Sequence, residues 1–481
     1  MSERHYADFA FVDGQARPLA GAERSLAEQL AASLRRRIDE HALKPGTRLP
    51  SIRRLAQQQR VSRSTVVEAY DRLIAEGSVE SRRGSGFYVR AGRAEHRPAK
   101  VARAARATTE QPLDVVWLLR SMLRQSPASD HPGAGLLPPA WLDEQRVAAA
   151  VRAVGRSAGS ALLSYGVPEG YLPLRQQLSQ RLAQAEIGVP PEQIVTTHGV
   201  THGIDLVARH FIAPGDTVLV EDPAWYVMFG RFAAFGARVV GVPRGPDGPD
   251  TTVLANLLTR HQPKLFVVGS VLHNPTGTSI SAANAHRLLK LADEYRFTIV
   301  EDDVYGDLHP GRALRLASLD QLRRVVYLGG FSKTLAANLR VGFIAASADL
   351  APSLANLKML TGLTTPELTE RVVARILAEG QYRRHLDRLR GKLDAARDRT
   401  ARALERMGAG LYAEPTAGIF LWADFGRDTN AIAVEASGQD ILCAPGSLFS
   451  PTQLPSTWMR VSAATCLNPA ALKFLARAIA G

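Results

Sequence analysis

The stretch from Val325 to Phe343, VVYLGGFSKTLAANLRVGF, decides the fold. A short apolar run, VVYLGG, ends on two glycines and passes directly into Phe331-Ser332-Lys333-Thr334. Arg340 stands seven residues beyond the lysine, and a second apolar run, VGFIAA, begins just after it. A strand without polar alternation is buried on both faces, as in a largely parallel sheet covered by helices. Outward from this stretch the same kind of run recurs in QIVTTHG, DTVLVEDP, ARVVGVP, KLFVVGS and FTIVEDD, separated by longer amphipathic segments. The alternation predicts an α/β fold from about residue 150 onward. In open α/β sheets ligands gather at the carboxyl ends of the strands, so the residues just after each run carry the functional information.

Glycines and reactive side chains collect at those ends. His198-Gly199-Val200-Thr201-His202-Gly203 follows one run and opens a helix, whose free N–H groups make a phosphate cup. Leu272-His273-Asn274-Pro275-Thr276-Gly277 follows another, and Glu301-Asp302-Asp303-Val304-Tyr305 a third. One lysine, one acid, one amide, one phenol and a phosphate cup at neighbouring strand ends is what a pyridoxal phosphate site needs. The lysine forms a Schiff base with the aldehyde, the acid holds the pyridinium proton, and an arginine neutralises phosphate.

This part of the chain, about residues 130–481, resembles the fold type I aminotransferases of the aspartate aminotransferase type. The resemblance implies that Lys333 is the Schiff-base lysine and that Ser332 and Arg340 are phosphate ligands, with Gly199, Val200 and Thr201 in the cup. Asp302 takes the pyridinium position, with Asp303 as the alternative, and Tyr305 and Asn274 face the ring 3-oxygen. Trp225 in EDPAWY takes the place of the stacking aromatic, with Tyr226 as the alternative. Tyr165 in SYGVPEGYLPLR resembles a tyrosine that reaches phosphate across a dimer interface, and Arg460 in WMRVSAA resembles the arginine that binds an α-carboxylate. Two departures stand out: Gly330 replaces a Ser or Thr found in many relatives, and Leu113–Pro139 lacks the motif expected at the mouth of the site.

The front of the chain reads differently. Leu26, Leu30, Leu34 and Ile38 mark an amphipathic helix ending near Lys44-Pro45-Gly46. Ser51 caps a short helix, Ile52 to Gln59, and Ser62 caps a longer one with Val66, Tyr70, Leu73 and Ile74 inward and Gly77 at its end. SVESRRGSGFYV then reads as a β-hairpin with Arg82 and Arg83 at its tip beside Gly84 and Ser85. Arg63, Ser64 and Thr65 begin the second helix of this helix-turn-helix, where Arg forks onto guanine and hydroxyls reach phosphate, while Arg53 and the hairpin arginines face the DNA backbone or minor groove. The stretch LKPGTRLPSIRRLAQQQRVSRSTVVEAYDRLIAEGSVESRRGSGFYV resembles the winged helix-turn-helix of the GntR superfamily.

Charge agrees with this division. The 481 residues carry 59 Lys and Arg against 46 Asp and Glu, a net charge of +13. Residues 1–110 hold 21 bases and 13 acids, so +8 sits in the front quarter and only +5 in the remaining 371 residues. A basic front domain predicts a polyanion partner for that domain alone. The expected organisation is a DNA-binding domain at 1–90, a basic flexible linker at 91–112 and an aminotransferase-like domain at 113–481. Within the last, the large lobe is expected at about 150–350 and a smaller α+β lobe from about 113–149 and 351–481. The linker region has Arg90, Arg93, Arg97, Lys100, Arg103 and Arg106 against Glu95 and Glu110. No uncharged apolar run of membrane length is present, and Cys443 and Cys466 lie in no metal-binding spacing. A cytoplasmic protein without membrane attachment or metal is therefore expected.

A GntR-type winged helix joined to an aminotransferase-like domain is the architecture of MocR-type transcriptional regulators. That resemblance implies a head-to-tail homodimer, double-stranded operator DNA as partner, and a sensor domain that binds pyridoxal 5'-phosphate and responds to it or to an amine or amino acid. The alternative is an active aminotransferase acting on an amino acid and carrying a basic DNA-binding head; every residue for that chemistry, Arg460 included, is in the sequence.

Overall fold

The computed structural model describes residues 25–40, 43–82, 85–90, 117–120 and 131–480. The expected linker, 91–112, and two of the wing-tip residues, Arg83 and Gly84, lie outside the described residues. The chain divides into two compact units between residues 110 and 111.

The first unit has three helices, α1 (Leu26–Asp39), α2 (Ile52–Gln59) and α3 (Arg63–Ala75), followed by the antiparallel pair β1 (Val79–Arg82) and β2 (Gly86–Val89). Each helix starts on a serine. Ser25 and Glu28 form a reciprocal capping box, Ser51 Oγ accepts from the Arg54 N–H, and Ser62 Oγ accepts from the Thr65 N–H. Between α2 and α3 the chain turns at Arg60, which is left-handed at φ 52°. Leu34, Leu55, Val66, Tyr70 and Leu73 close the core against Val79 and Val89, and the Tyr70 hydroxyl donates to the Pro50 carbonyl at 2.8 Å. The first helix corrects the sequence reading. It ends at Asp39, and its buried stripe is Ala27, Leu30, Ala31 and Leu34, while Leu26 is 55% exposed. A strict four-residue spacing drifts about 40° per step around a helix, so the ends of such a series leave the buried face.

The second unit is built on an eight-stranded sheet. Its strands are β3 (Ile194–His198), β4 (Thr217–Asp222), β5 (Arg238–Gly245), β6 (Gly248–Pro249), β7 (Leu265–Val268), β8 (Thr298–Asp302), β9 (Val325–Gly330) and β10 (Val341–Ala345), in the order β3-β10-β9-β8-β7-β4-β5-β6. The run from β9 through β8, β7 and β4 to β5 is parallel, and β10 is antiparallel to both of its neighbours. Leu265–Val268 and Val341–Ala345 are buried at every position, because helices cover both faces. On one face the helices Val200–Phe211 and Leu350–Gly362 bring Ile204, Val207 and Leu354 together. On the other, Leu172–Gln184, Ala282–Tyr295 and Glu367–Ala378 supply Leu178, Leu288 and Val373.

A smaller antiparallel sheet follows, made of β11 (Gly410–Leu411), β12 (Phe420–Asp424), β13 (Ala444–Pro445) and β14 (Trp458–Ser462) in the order β11-β12-β14-β13. The packing corrects the expected lobe limits. Helices Leu350–Gly362 and Glu367–Ala378 belong to the cores of the large sheet, as do Ala150 and Val154 of the helix Glu144–Ser157. The 25-residue helix Tyr382–Arg406 joins the two lobes: Leu386 packs in the large core, Ala401 and Leu404 in the small one.

At one point the large sheet tolerates no side chain. A Cβ on Gly342 in β10 would lie 2.7 Å from the Gly199 Cα and 2.9 Å from the Val200 nitrogen. Gly342→Ala should therefore destabilise the second unit by about 1–3 kcal/mol in urea unfolding. Gly155→Ala, in the helix Glu144–Ser157 with nothing within 4 Å of the added carbon, should instead stabilise it by about 0.5–1 kcal/mol.

Candidate functional site

The parallel strands point their carboxyl ends into one cavity, lined by residues from six chain segments. After β3, Gly199 (φ 73°) opens the helix Val200–Phe211 without any capping side chain. That leaves the helix's first N–H groups and Thr201 facing the cavity. Arg340 lies across this turn. Its backbone is left-handed at φ 52°, its Nη2 donates to the His198 carbonyl at 2.9 Å, and its Nη1 lies 3.4 Å from the Ser332 hydroxyl. A Cβ on Gly199 would come within 2.8 Å of the Arg340 guanidinium and displace it, and the φ of 73° itself favours glycine. The result is a positive cup of backbone N–H groups, two hydroxyls and a guanidinium.

The two aspartates that end β8 separate in role. Asp303 turns away from the cavity: its Oδ2 accepts from Arg315 Nε and from the Tyr327 hydroxyl, both at 2.6 Å. Asp302 lines the cavity, and its buried Oδ1 has no hydrogen-bond partner among the described residues. Burial and the neighbouring Asp303 charge push its pKa up to about 7. The pair after β4 separates too. Trp225 lines the cavity, whereas Tyr226 is buried with its ring edge-on to Phe449 at 5.3 Å.

Lys333, just after β9, reaches into the same space. Its Nζ donates to the Gly135 carbonyl at 2.9 Å and lies 5.9 Å from the centre of the Tyr305 ring. Burial, with Arg460 and Arg340 nearby, lowers its pKa to about 8. Asn274 hydrogen-bonds the Tyr305 hydroxyl and accepts from Arg460 Nη1 at 3.1 Å. Arg460 itself is fully buried and lies outside the residues lining the cavity. Its Nη2 donates to the Gly133 carbonyl at 2.8 Å, and its guanidinium sits over the rings of Phe420 and Phe449. Tyr165 is 80% exposed and is not among the lining residues. Gly330 lines the cavity, and a Cβ there would meet Gly342, Val200 and the Val341 carbonyl at 3.4 Å, so the missing hydroxyl residue has no steric explanation.

Sequence reasoning missed two parts of the site. Glu221 and His273 form a polar wall of the cavity. Glu221 accepts from the Gly269 N–H at 2.8 Å and is paired with the buried Arg244, while His273 Nε2 lies 3.3 Å from the same carboxylate. Burial and Arg244 hold the His273 pKa well below 6.5. Nothing in a run such as EDPAWY announces a partner twenty-odd residues away. The second omission is the segment carrying Gly133 and Gly135, whose carbonyls hold two of the site's cations; a backbone acceptor leaves no trace in residue type. Among the described residues no group of three or more His, Cys, Asp or Glu is placed to hold a metal, and no helix is long and apolar enough to cross a membrane.

In the first unit, Arg53, Arg63 and Ser64 are exposed. The Thr65 hydroxyl is held by Ser62 at 2.7 Å as part of the α3 cap. Arg82 pairs with Glu80 and lies over the Tyr88 ring at 4.6 Å, and the Ser85 hydroxyl meets the Tyr88 hydroxyl at 2.7 Å. The strand arginine is therefore braced against its own hairpin.

Comparison with known proteins follows the same division. Residues 26–89 match the family of bacterial regulatory proteins, gntR family, and residues 133–479 match aminotransferase class I and II. The probable rhizopine catabolism regulatory protein MocR of Rhizobium meliloti is 30% identical over 443 residues, covering 88% of each chain. The 2-aminoadipate transaminase of Thermus thermophilus is 32% identical over 353 residues, covering 71% of this chain and 87% of that one. The crystal structure of LysN, an α-aminoadipate aminotransferase from Thermus thermophilus complexed with N-(5'-phosphopyridoxyl)-L-leucine, superposes with a TM-score of 0.69 at 29% identity. It covers 76% of this chain and 94% of that one. With an aminotransferase class I and II domain joined to a GntR-family helix-turn-helix, and with relatives that share the whole arrangement, the chain belongs to the MocR-type transcriptional regulators.

Proposed function

We propose that this regulator binds pyridoxal 5'-phosphate at Lys333 and converts the arrival of the cofactor, or of an amine or amino acid, into a change in operator binding. The observation that carries the reading is the presence, in one cavity, of the Lys333 amine and Asp302, whose buried Oδ1 has no partner among the described residues. A buried acceptor without a donor is costly, and a pyridinium N–H is the donor that this position suits. Gly199 and Arg340 support the phosphate end of the reading, and Trp225 a ring-stacking position. When bound, the group supplies an aldehyde for covalent attachment to an amine and a ring that withdraws electrons. Lys333 would hold it, Asp302 would keep the proton on the ring nitrogen, and Tyr305 with Asn274 would orient the ring oxygen. A carboxylate-bearing ligand would be met by Arg460, which Asn274 already orients.

Coupling to DNA requires only that the ligand bind two arrangements of the protein with different affinity. A coupling of roughly 1–3 kcal/mol changes operator affinity about 5- to 150-fold. A second copy of the chain supplies the symmetry a two-site operator needs. Leu163, Tyr165 and Leu360 are 90%, 80% and 79% exposed on segments that meet where Gly166 packs against Thr365 and Glu367. Such exposure of large apolar side chains supports a self-complementary interface there. A second reading, turnover of an amino acid, is favoured by the buried, preoriented Arg460; steady release of a 2-oxo acid from an amino acid substrate would carry it.

Three outcomes are expected. Protein reconstituted with pyridoxal phosphate should show an absorbance band near the visible edge that Lys333→Ala abolishes. The lysine attacks only when neutral, and its lowered pKa makes that form available early, so the rate at which the band appears should rise with pH and level off above about 8. A colourless reconstituted protein would sink the cofactor reading. In a gel-shift titration, Arg63→Ala should weaken operator binding by about 1–3 kcal/mol and blur its sequence preference. Sedimentation should give a two-chain mass that charge placed at Leu163 and Leu360 together reduces to one.

A further inference from the structure

Residues His131 to Gly135 run as a strap from the small lobe to Lys333 at the cavity wall. At one end the strap is stitched to the small sheet and its neighbours. The Pro132 carbonyl accepts from the Ser462 N–H at 2.7 Å, the His131 carbonyl from the Thr465 hydroxyl at 2.7 Å, and the Gly133 N–H donates to the Leu442 carbonyl at 2.8 Å. Gly133 is wedged so tightly that a Cβ would lie 2.6 Å from the Cys443 backbone. Its carbonyl takes Arg460 Nη2. Two residues on, Gly135 offers its carbonyl to Lys333 Nζ, which belongs to the large lobe. The strap thus spans the two lobes, anchored firmly on one and held to the other by the reactive lysine itself.

We infer that the Lys333–Gly135 hydrogen bond is a positioning latch: it aims the amine into the cavity, and covalent capture of that amine by an aldehyde cofactor releases the strap beyond Ala134. The argument rests on donor count. A free ammonium offers three N–H donors, so one of them can stay on the strap carbonyl while the nitrogen faces the cavity. Once the nitrogen is bonded to an aldehyde carbon, with loss of water, at most one N–H remains and its direction is set by the new double bond. The Gly135 carbonyl then loses its charged partner, while the bonds at Pro132, Gly133 and His131 use none of the same atoms and persist. Release is therefore local, confined to Gly135 and Leu136, because the Ala134 N–H stays on the His131 carbonyl at 3.0 Å and Leu137 is buried among Val271, Leu272 and Phe420. The latch deepens the reading of Lys333 as the cofactor lysine and rests on it for the release step only.

Hydrogen–deuterium exchange on the full-length protein tests it. A hydrogen bond to a charged group shifts an opening equilibrium by roughly tenfold. Exchange at Gly135 and Leu136 should accordingly be about tenfold faster with pyridoxal phosphate bound than without it, against the usual slowing at a ligand site, while Gly133 and Ala134, whose N–H groups are held by the Leu442 and His131 carbonyls, stay unchanged. Cofactor-free Lys333→Ala should show the fast rate without any ligand, and Lys333→Gln, which keeps a donor on a shorter side chain, a slower rate than Lys333→Ala. Equal protection at Gly135 and Leu136 in cofactor-free wild type and Lys333→Ala overturns the latch whatever the cofactor does. Unchanged or slower exchange on loading, with the absorbance band present, overturns the release. A missing band with a difference between wild type and Lys333→Ala overturns the release but keeps the positioning role, and it separates failure of the cofactor reading from failure of the latch.

Discussion

The backbone-to-backbone approach of Gly342 and Gly199 is the constraint on which the cavity at the strand ends depends. With no Cβ on either residue, the turn after β3 settles directly against β10. That contact sets where the helix Val200–Phe211 begins, and so where its unpaired N–H groups point. It also leaves room for Arg340 to cross the turn and bond the His198 carbonyl. A side chain at either glycine would push the helix start away from the guanidinium and open the cup.

Electrostatics does the rest of the organising. Two cations, Lys333 and Arg340, line a space with two carboxylates, Asp302 and Glu221, of which Glu221 is already matched by Arg244, while Arg460 lies buried behind Asn274. Burial weakens every solvent contribution there, so the lysine is pulled toward its neutral form and Asp302 toward its protonated one. Both shifts suit the proposed partner, which would bring its own charge to the cup and to the aspartate. Elsewhere charge is balanced locally. Asp303 is closed off by Arg315 and Tyr327, one residue from the aspartate that remains open.

Much of this was legible beforehand because the relevant signals are local. Ser51 and Ser62 mark helix starts through their own side chains, and both begin where expected. Apolar runs such as LFVV and VGFIA identify buried strands since each residue must suit two covered faces. The readings that needed correction concern arrangement at a distance. Leu26 obeys the spacing of a buried stripe yet faces solvent, and the helices after residue 350 carry apolar faces that fit either lobe until the sheet they cover is known.

The sequence by itself determined the kinds of structure and the cast of reactive groups: a winged helix-turn-helix, a buried largely parallel sheet, and a lysine, acids and arginines at its strand ends. Only the tertiary structure decided which of two adjacent aspartates and which of two adjacent aromatics enters the cavity. Successive residues at the end of β8 point in opposite directions, which separates Asp302 from Asp303, whereas the turn from β4 into the helix Val227–Ala234 separates Trp225 from Tyr226. It also decided that Lys333 and Arg460 rest on the Gly135 and Gly133 carbonyls. Every residue has a carbonyl, so its service as an acceptor depends on where the chain folds back and not on what the residue is.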